Sequence, residues 1–421
     1  MNKATPQSTS NTLTIVVVLA VLSIFPPLAT DMYLSAFGDI QTYLSAPDGA
    51  LELSLSVFFL GLCMGQLLFG PLIDRFGRKG PLLAGAALFC LATVLLLFTR
   101  STSMFIGLRF IQALGACGGM VVGRAVVTDL YEGTAAARTM TLLVMLMTLG
   151  PVVSPLLGGI LVTQFGWKAV FVTMLAIGAL ALVLALTLLP ETLPVSKRLR
   201  TPFLDVFSDY WKLLTSRPFV VPALVSSFVQ AAMFSFITAS ASVFQGVLGL
   251  GKIEYGLAFG FVALGLVVAS FVNNRLLVKL EVKTVVSAVL PLFVAISFVL
   301  LLVSGTHQLL VLIIPLWFSI AMVGLLSANG TSIAMEAARG QSGVGSALVG
   351  AMQFGVAFVC SAIVAAAISS SALPLALGIL IPAAIAFLLW HFGSASLTSE
   401  RPAETPNFDQ SQATMKAHDG E

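Results

Sequence analysis

Twelve apolar runs of roughly 20 residues or more leave this chain little choice of fold. They fall near 13–35, 51–73, 81–99, 103–129, 138–163 and 167–189, then near 219–244, 254–276, 283–303, 308–334, 343–368 and 373–393. At 1.5 Å per residue, about 20 residues cross the ~30 Å hydrocarbon core of a bilayer. Lipid cannot satisfy backbone N–H and C=O groups, so an apolar run of that length must satisfy them within itself, as a helix. Composition agrees: 58% of the residues are hydrophobic and 9% charged. A soluble chain carries about 25% charged residues, so this one cannot cover itself with a water-compatible surface. No small-residue cleavage site follows a short apolar core, so the first run is expected to be a retained span.

Lysine and arginine orient the spans. With the N-terminus inside, inner segments collect Lys3, Arg75, Arg78, Lys79, Arg138, Lys197, Arg198, Arg200, Lys212, Arg217, Arg275, Lys279, Lys283, Arg339, Arg401 and Lys416. Outer connections hold Arg100, Lys168 and Lys252. Both termini are therefore expected in the cytoplasm. The longest internal polar stretch separates runs six and seven. The expected organisation is a tail over 1–12, a six-helix bundle over 13–189, a linker over 190–218, a second bundle over 219–393 and a tail over 394–421. Within the linker, Phe203, Leu204, Phe207, Trp211 and Leu214 recur at helical spacing with basic residues around them. This predicts a short amphipathic helix lying on the membrane surface.

Several functions are excluded. Cys63, Cys90, Cys117 and Cys360 sit inside apolar runs without a CxxC spacing, so neither a disulfide framework nor a zinc site is expected. The histidines, His307, His391 and His418, stand at span edges or in the tail, away from acidic pairs. No P-loop, GxGxxG or HExxH is present, and no soluble segment is long enough for a nucleotide domain. An enzyme, a metal site, a cofactor and a nucleic-acid partner are all unexpected.

Ionisable side chains inside spans are costly and point to function. Asp31 follows Pro26-Pro27, a pair that should kink or open span one. Arg109 lies in the outer part of span four and Arg124 in its inner part; Asp129 and Glu132 close that span, Asp74 closes span two and Glu336 span ten. Counted from the expected outer ends, Asp31 and Arg109 should share a depth of roughly 6–8 Å. They can then meet, or share water, across a central cavity. Loss of water and a nearby guanidinium act on a carboxyl in opposite senses, so Asp31 can be poised to take up and release a proton. Arg109 keeps its own proton and serves as a fixed counter-charge. Small residues mark close helix contacts: Gly61-x-x-x-Gly65 and Gly70 on span two, then Gly115, Gly118, Gly119 and Gly123 on span four. Span five has Gly150-Pro151, Ser154-Pro155 and Gly158-Gly159, which suits a hinge or seal.

These stretches carry a resemblance. Gly70-Pro71-Leu72-Ile73-Asp74-Arg75-Phe76-Gly77-Arg78-Lys79 resembles the major facilitator signature between spans two and three. Leu108 to Gly115 resembles that family's span-four motif, and the span-five stretch is similar to its antiporter motif, with Ser154 where a glycine is usual. Ala29-Thr30-Asp31-Met32-Tyr33-Leu34, Asp129-Leu130-Tyr131 and Ala328-Asn329-Gly330 resemble the Bcr/CflA branch of twelve-helix drug:proton antiporters. The resemblance spans 13–393. It implies an all-α membrane protein, two six-helix bundles about a central cavity, worked by alternating access as a monomer in a bacterial inner membrane.

The implied cargo is small amphipathic drugs or antibiotics, exchanged for protons with the proton gradient as energy source. A carrier of a native nucleobase, nucleoside or amino-acid derivative remains open. The resemblance also implies that Asp74 meets the positive N-terminus of span eleven near Ser342, with Arg75, Arg78, Asp129 and Arg138 joining an inner gate. Polar, aromatic and sulfur-bearing residues at membrane depth are the expected cavity lining: Tyr33, Gln112, Met145, Met147, Gln230, Phe234, Phe236, Asn329, Gln353 and Phe354.

Overall fold

The structure, a computed structural model, describes residue 15 and residues 17–22, 24–131, 133–199 and 203–393. The two expected tails, with Lys3, Arg401, Lys416 and His418, lie outside the described residues, as do Glu132 and Arg200. Among the described residues twelve helices are long and apolar enough to cross a membrane. They are α1 (Val17–Leu44), α2 (Ala50–Phe76), α3 (Lys79–Phe98), α4 (Thr102–Leu130), α5 (Gly133–Phe165) and α6 (Lys168–Leu188). The second half has α7 (Arg217–Ala241), α8 (Lys252–Leu276), α9 (Val282–Leu302), α10 (Leu309–Ala337), α11 (Ser342–Ala366) and α12 (Leu373–Gly393). Large apolar side chains such as Phe98, Phe165, Phe271 and Leu310 point outward and exposed. An apolar surface this extensive needs lipid around it. The protein is a multi-pass membrane protein.

Local chemistry sets the helix ends. The Ser101 hydroxyl caps α4 by accepting from the Met104 N–H at 3.4 Å, which satisfies one of the orphan donors of a first turn. Gly77 ends α2 with φ +94°, a conformation that favours glycine. α1 is broken. Prolines open its Phe25–Asp31 segment, a 3-10 turn covers Met32–Ala36, and a regular helix resumes over Phe37–Leu44. α7 also ends irregularly, in a π turn over Ser242–Val247.

The halves meet where α2 packs on α11 and α5 packs on α8. At the second seam backbone lies against backbone. A Cβ built on Gly256 would stand 2.6 Å from the Leu156 Cα, and one on Gly260 would stand 2.8 Å from the Val152 carbonyl oxygen. The linker carries a helix over Phe203–Thr215. Tyr210 and Leu213 bury against Phe219, Ala338 and Ala347, whereas Trp211 and Leu214 project outward. The side chains of Phe203, Leu204 and Phe207 lie outside the described residues.

One expectation about depth is corrected. Span one does not stop near residue 35. It runs on to Leu44, which puts Asp31 roughly 20 Å from the end of its helix at 1.5 Å per residue. The polar residues that mimic an end are bonded instead. Ser35 Oγ donates to the Pro155 carbonyl at 2.8 Å, and Asp39 pairs with Lys252 at 2.7 Å. Asp31 is therefore a mid-membrane residue.

Candidate functional site

Asp31 ends the first segment of α1, where the backbone tightens into its 3-10 turn. It is 1% exposed, and neither carboxyl oxygen has a hydrogen-bond partner. Its neighbour Thr30 turns its hydroxyl to the Pro27 carbonyl at 3.1 Å. An ionised carboxylate in such a place carries an uncompensated desolvation cost of several kcal/mol, which a bound proton removes.

Arg109, fully buried on α4, reaches α1 at the Ala29 backbone, two residues before Asp31, and forms no ion pair with that carboxyl among the described residues. Its Nη2 donates to the Ala29 carbonyl at 2.7 Å, its Nη1 donates to Gln112 Oε1 at 2.5 Å, and its Nε has no partner. The guanidinium also lies 4.0 Å from the ring centroid of Tyr33 and 4.4 Å from that of Phe58. Desolvated cation–π contacts of this kind contribute up to about 2 kcal/mol each. Gln112 is clamped in turn, its Nε2 donating to Thr93 Oγ1 at 2.8 Å. Tyr33 bonds Ser54 across 3.1 Å. Of the expected lining, Gln112 and Tyr33 thus brace the arginine. From the other half, the phenol of Tyr255 on α8, bonded to Ser240 at 2.9 Å, lies within electrostatic reach of Asp31 and Tyr33.

The second half answers with amides and hydroxyls. Gln353 on α11 donates to Ser226 Oγ at 2.9 Å and to Thr331 Oγ1 at 3.2 Å. Ser327 donates to Gln230 Oε1 at 2.9 Å. Asn273 and Asn329 exchange amide hydrogen bonds of 3.2 and 2.8 Å, so Asn329 locks α8 to α10. Phe234 joins the halves, 4.4 Å from Phe59 and 5.6 Å from Phe354 between ring centroids. Phe236 is buried among Phe244 and Phe259, a packing position. On α5, Met147 is half-buried and Met145 exposed. Of the expected lining residues, Phe234 contacts both halves, whereas Gln230 and Gln353 are bonded within the second half.

α5 is shaped by its small residues. A Cβ on Gly150 would reach 2.5 Å from the Pro27 Cβ, one on Gly158 would strike the Met32 carbonyl, and one on Gly159 the Lys252 carbonyl. With Pro151 and Pro155 inside the helix, α5 touches the broken part of α1 and the start of α8 together. A movement at this stretch moves both.

At the face where α2, α4, α6, α8 and α10 end, here the basic face, Arg78 is the hub. It pairs with Asp74 at 2.5 Å and with Asp129 at 2.9 Å, and Thr192 donates to Asp129 at 2.8 Å. Arg78, one turn on, takes the Asp74 carboxylate, and the side chain of Ser342, at the start of α11, lies outside the described residues. Arg138 is exposed and outside the cluster's ion pairs, and Arg75 stacks on Phe76 at 5.9 Å. Glu191 was not expected here. It accepts from the backbone N–H groups of Arg78 at 2.8 Å and Lys79 at 3.3 Å. Burial works against its charge, but those N–H groups, that of Leu193 and the Arg198 guanidinium hold it below the usual carboxylate range.

One further residue falls outside the sequence expectations. Glu52, 6% exposed near the start of α2, accepts from Ser242 of the opposite half. Arg124 is half-buried and enters none of the ion pairs among the described residues. Glu52 stands one residue into its apolar run, where an acid reads as an ordinary first-turn residue.

The comparisons with known proteins agree with this architecture. The sequence profile of the Major Facilitator Superfamily matches residues 19–361. An uncharacterized MFS-type transporter of Bacillus subtilis, YdgK, is 30% identical over 79% of this chain and 83% of its own. A bicyclomycin resistance protein homolog of Haemophilus influenzae is 27% identical over 87% of this chain and 92% of its own. The crystal structure of a D-xylose–proton symporter superposes with a TM-score of 0.73 at 15% identity, covering 91% of this chain and 97% of that one. That last likeness is one of fold.

Proposed function

Because the chain belongs to the Major Facilitator Superfamily and is therefore a transporter of small molecules, we propose that it exports small amphipathic drugs or antibiotics in exchange for protons. It works as a monomer in a bacterial inner membrane, both termini in the cytoplasm, by alternating access. Asp31 carries the coupling proton and Arg109 sets the field around it. The observation that carries this reading is the buried Asp31 carboxyl, unpartnered on both oxygens while Arg109 holds the Ala29 carbonyl two residues away. A carboxyl that no cation pairs with is free to take and lose a proton. The name of the Haemophilus influenzae relative supports the choice of cargo.

The cycle follows from these parts. A proton arriving from the face opposite the basic one neutralises Asp31, which removes the cost of burying it in a closed centre. Opening to the basic face lets cargo reach Phe234, Phe354, Gln230 and Gln353 while Asp31 gives up its proton to that side. The Gly150–Gly159 stretch of α5 bends between the two states, and the Asp74–Arg78–Asp129 cluster keeps the basic ends of α2, α3 and α4 together. A second reading, export of a small polar metabolite, is favoured by the hydroxyl and amide network around Gln353.

The test is transport by purified protein in vesicles with an imposed pH gradient and an internal pH dye, against a panel of amphipathic drugs and polar metabolites. Antiport predicts that substrate addition discharges the gradient and that the gradient drives substrate uphill. Substrate movement without protons sinks the coupling; a response confined to polar compounds selects the second reading.

A further inference from the structure

The seam between the halves on the face opposite the basic one contains an acid that the proton pathway above does not use. Glu52 is buried near the start of α2, and the Ser242 hydroxyl, on the π turn that ends α7, donates to its Oε1. The contact joins residues 190 positions apart in the chain. Around it the halves are tied twice more: Lys252 of α8 pairs with Asp39 of α1 at 2.7 Å, and Gln245 of the π turn donates to the Leu34 carbonyl at 3.4 Å. Gly49, at φ +78°, lies so close to the Ala365 carbonyl at the end of α11 that a side chain has no room. This end of the molecule is shut, and Glu52 is the acid within the closure.

Its surroundings offer no cation that pairs with it among the described residues; Lys252, across the seam, is taken by Asp39. The charged and titratable groups packed nearby are Asp48 on the preceding connection, Asp39 and Tyr33 on α1, and Lys252 and Tyr255 on α8. The π turn of α7 contributes none, and Cys360 is the sole titratable side chain in the last turns of α11. One neutral hydroxyl is weak compensation for a buried carboxylate, whereas a carboxyl group with its proton is accommodated by a single hydrogen bond. A π turn is a strained, widened segment that recurs at functional sites, which suits an element that must let go.

We infer that Glu52 is the charge-sensitive latch of this seam: with a proton bound it stays against Ser242 and the seam is closed, and once ionised it draws water and α2 parts from the π turn of α7. The proton is exchanged with water on that same face, so loading from that side closes the path behind it. This goes beyond the assignment of the coupling proton to Asp31 and does not depend on it.

Hydrogen exchange read by mass spectrometry tests the latch on the full chain in lipid nanodiscs, without substrate and without a pH gradient. Exchange of peptides over 45–55 and 242–250 is measured on both sides of neutral pH and corrected for the intrinsic rate. Wild type is expected to lose protection there by roughly tenfold on going from acid to alkaline pH, equivalent to about 1.4 kcal/mol. Glu52→Gln keeps an acceptor without a charge and should stay protected at both pH values. Glu52→Ala should exchange quickly at both, with the Asn273–Asn329 region as protected as in wild type. Asp31→Asn should retain the wild-type response. A Glu52→Gln protein that still responds to pH, or a response abolished by Asp31→Asn, overturns the latch; so does a wild type with no response. Since no transport is measured, each of those results leaves the antiport reading standing.

Discussion

The two halves share a fold but not a chemistry. In the first half, charge is buried: Asp31 and Arg109 within their helices and Glu52 near the start of α2 are all almost inaccessible. In the second, ionisable acids and bases such as Lys252, Glu254, Arg275, Lys283, Glu336 and His391 keep to helix ends, and the middle is held by Ser226, Gln230, Asn273, Ser327, Asn329, Thr331 and Gln353. Buried charges are expensive and change state with a proton; buried amides are satisfied in pairs and do not. The contrast teaches a division of work. On the proposed cycle, the first half responds to protons, and the second holds shape and presents neutral hydrogen-bonding groups to a cargo.

Substitutions can break that division or sharpen it. The largest effect belongs to Asp31→Asn, which should reduce uphill export to the level of empty vesicles while leaving the thermal midpoint unlowered, because it removes a charge that had no partner. Arg109→Ala comes next. It strips donors from Ala29 and Gln112, and charge-assisted bonds contribute about 1.5–3 kcal/mol each. Transport should fall at least about tenfold and the melting temperature should drop, with Arg109→Lys restoring part of both since lysine lacks the planar fork. If Arg109→Ala exports normally, charge in the first half is not what drives the cycle.

In the second half, Asn329→Ala leaves the Asn273 amide without its partner, a loss of about 1–3 kcal/mol. Calorimetry should show reduced stability, with proton exchange per substrate unchanged. Gln353→Ala is a smaller perturbation: substrate affinity should weaken a few-fold, about 1 kcal/mol, again without altering the proton count. A proton leak in either variant would erase the contrast between the halves. The smallest effect is at the edge of the first half. Glu191 is held below its ordinary value of 4.5 in the fold. Its contribution is therefore fully present at neutral pH and is lost as the pH falls below that value. Amide exchange of Arg78 and Lys79 should quicken under those acid conditions, and Glu191→Gln should remove the pH dependence.

Much of this was legible in the sequence, for reasons that also mark where legibility stopped. The twelve runs announced twelve helices because lipid admits no other use of such segments, and Asp31 and Arg109 stood out because charge is rare there. The end of α1 was misjudged since Ser35, Gly38, Asp39 and Gln41 look like a loop. Their polarity is absorbed by Pro155, Lys252 and Asp48, partners far along the chain or beyond the helix. Glu52 was missed for the converse reason: its position reads as a routine helix start, and only the pairing with Ser242 gives it meaning. Gln112 and Asn329 looked like cargo contacts, whereas the structure engages them with Arg109 and Asn273. Polarity at membrane depth tells that a partner exists, not which one.

The central claim is that the exchanged proton sits on Asp31. Substrate added to purified protein in unbuffered detergent solution, with the pH recorded, tests it most directly. The account predicts that binding releases protons in wild type and none in Asp31→Asn, while the mutant still binds substrate. Equal release from both proteins would contradict it.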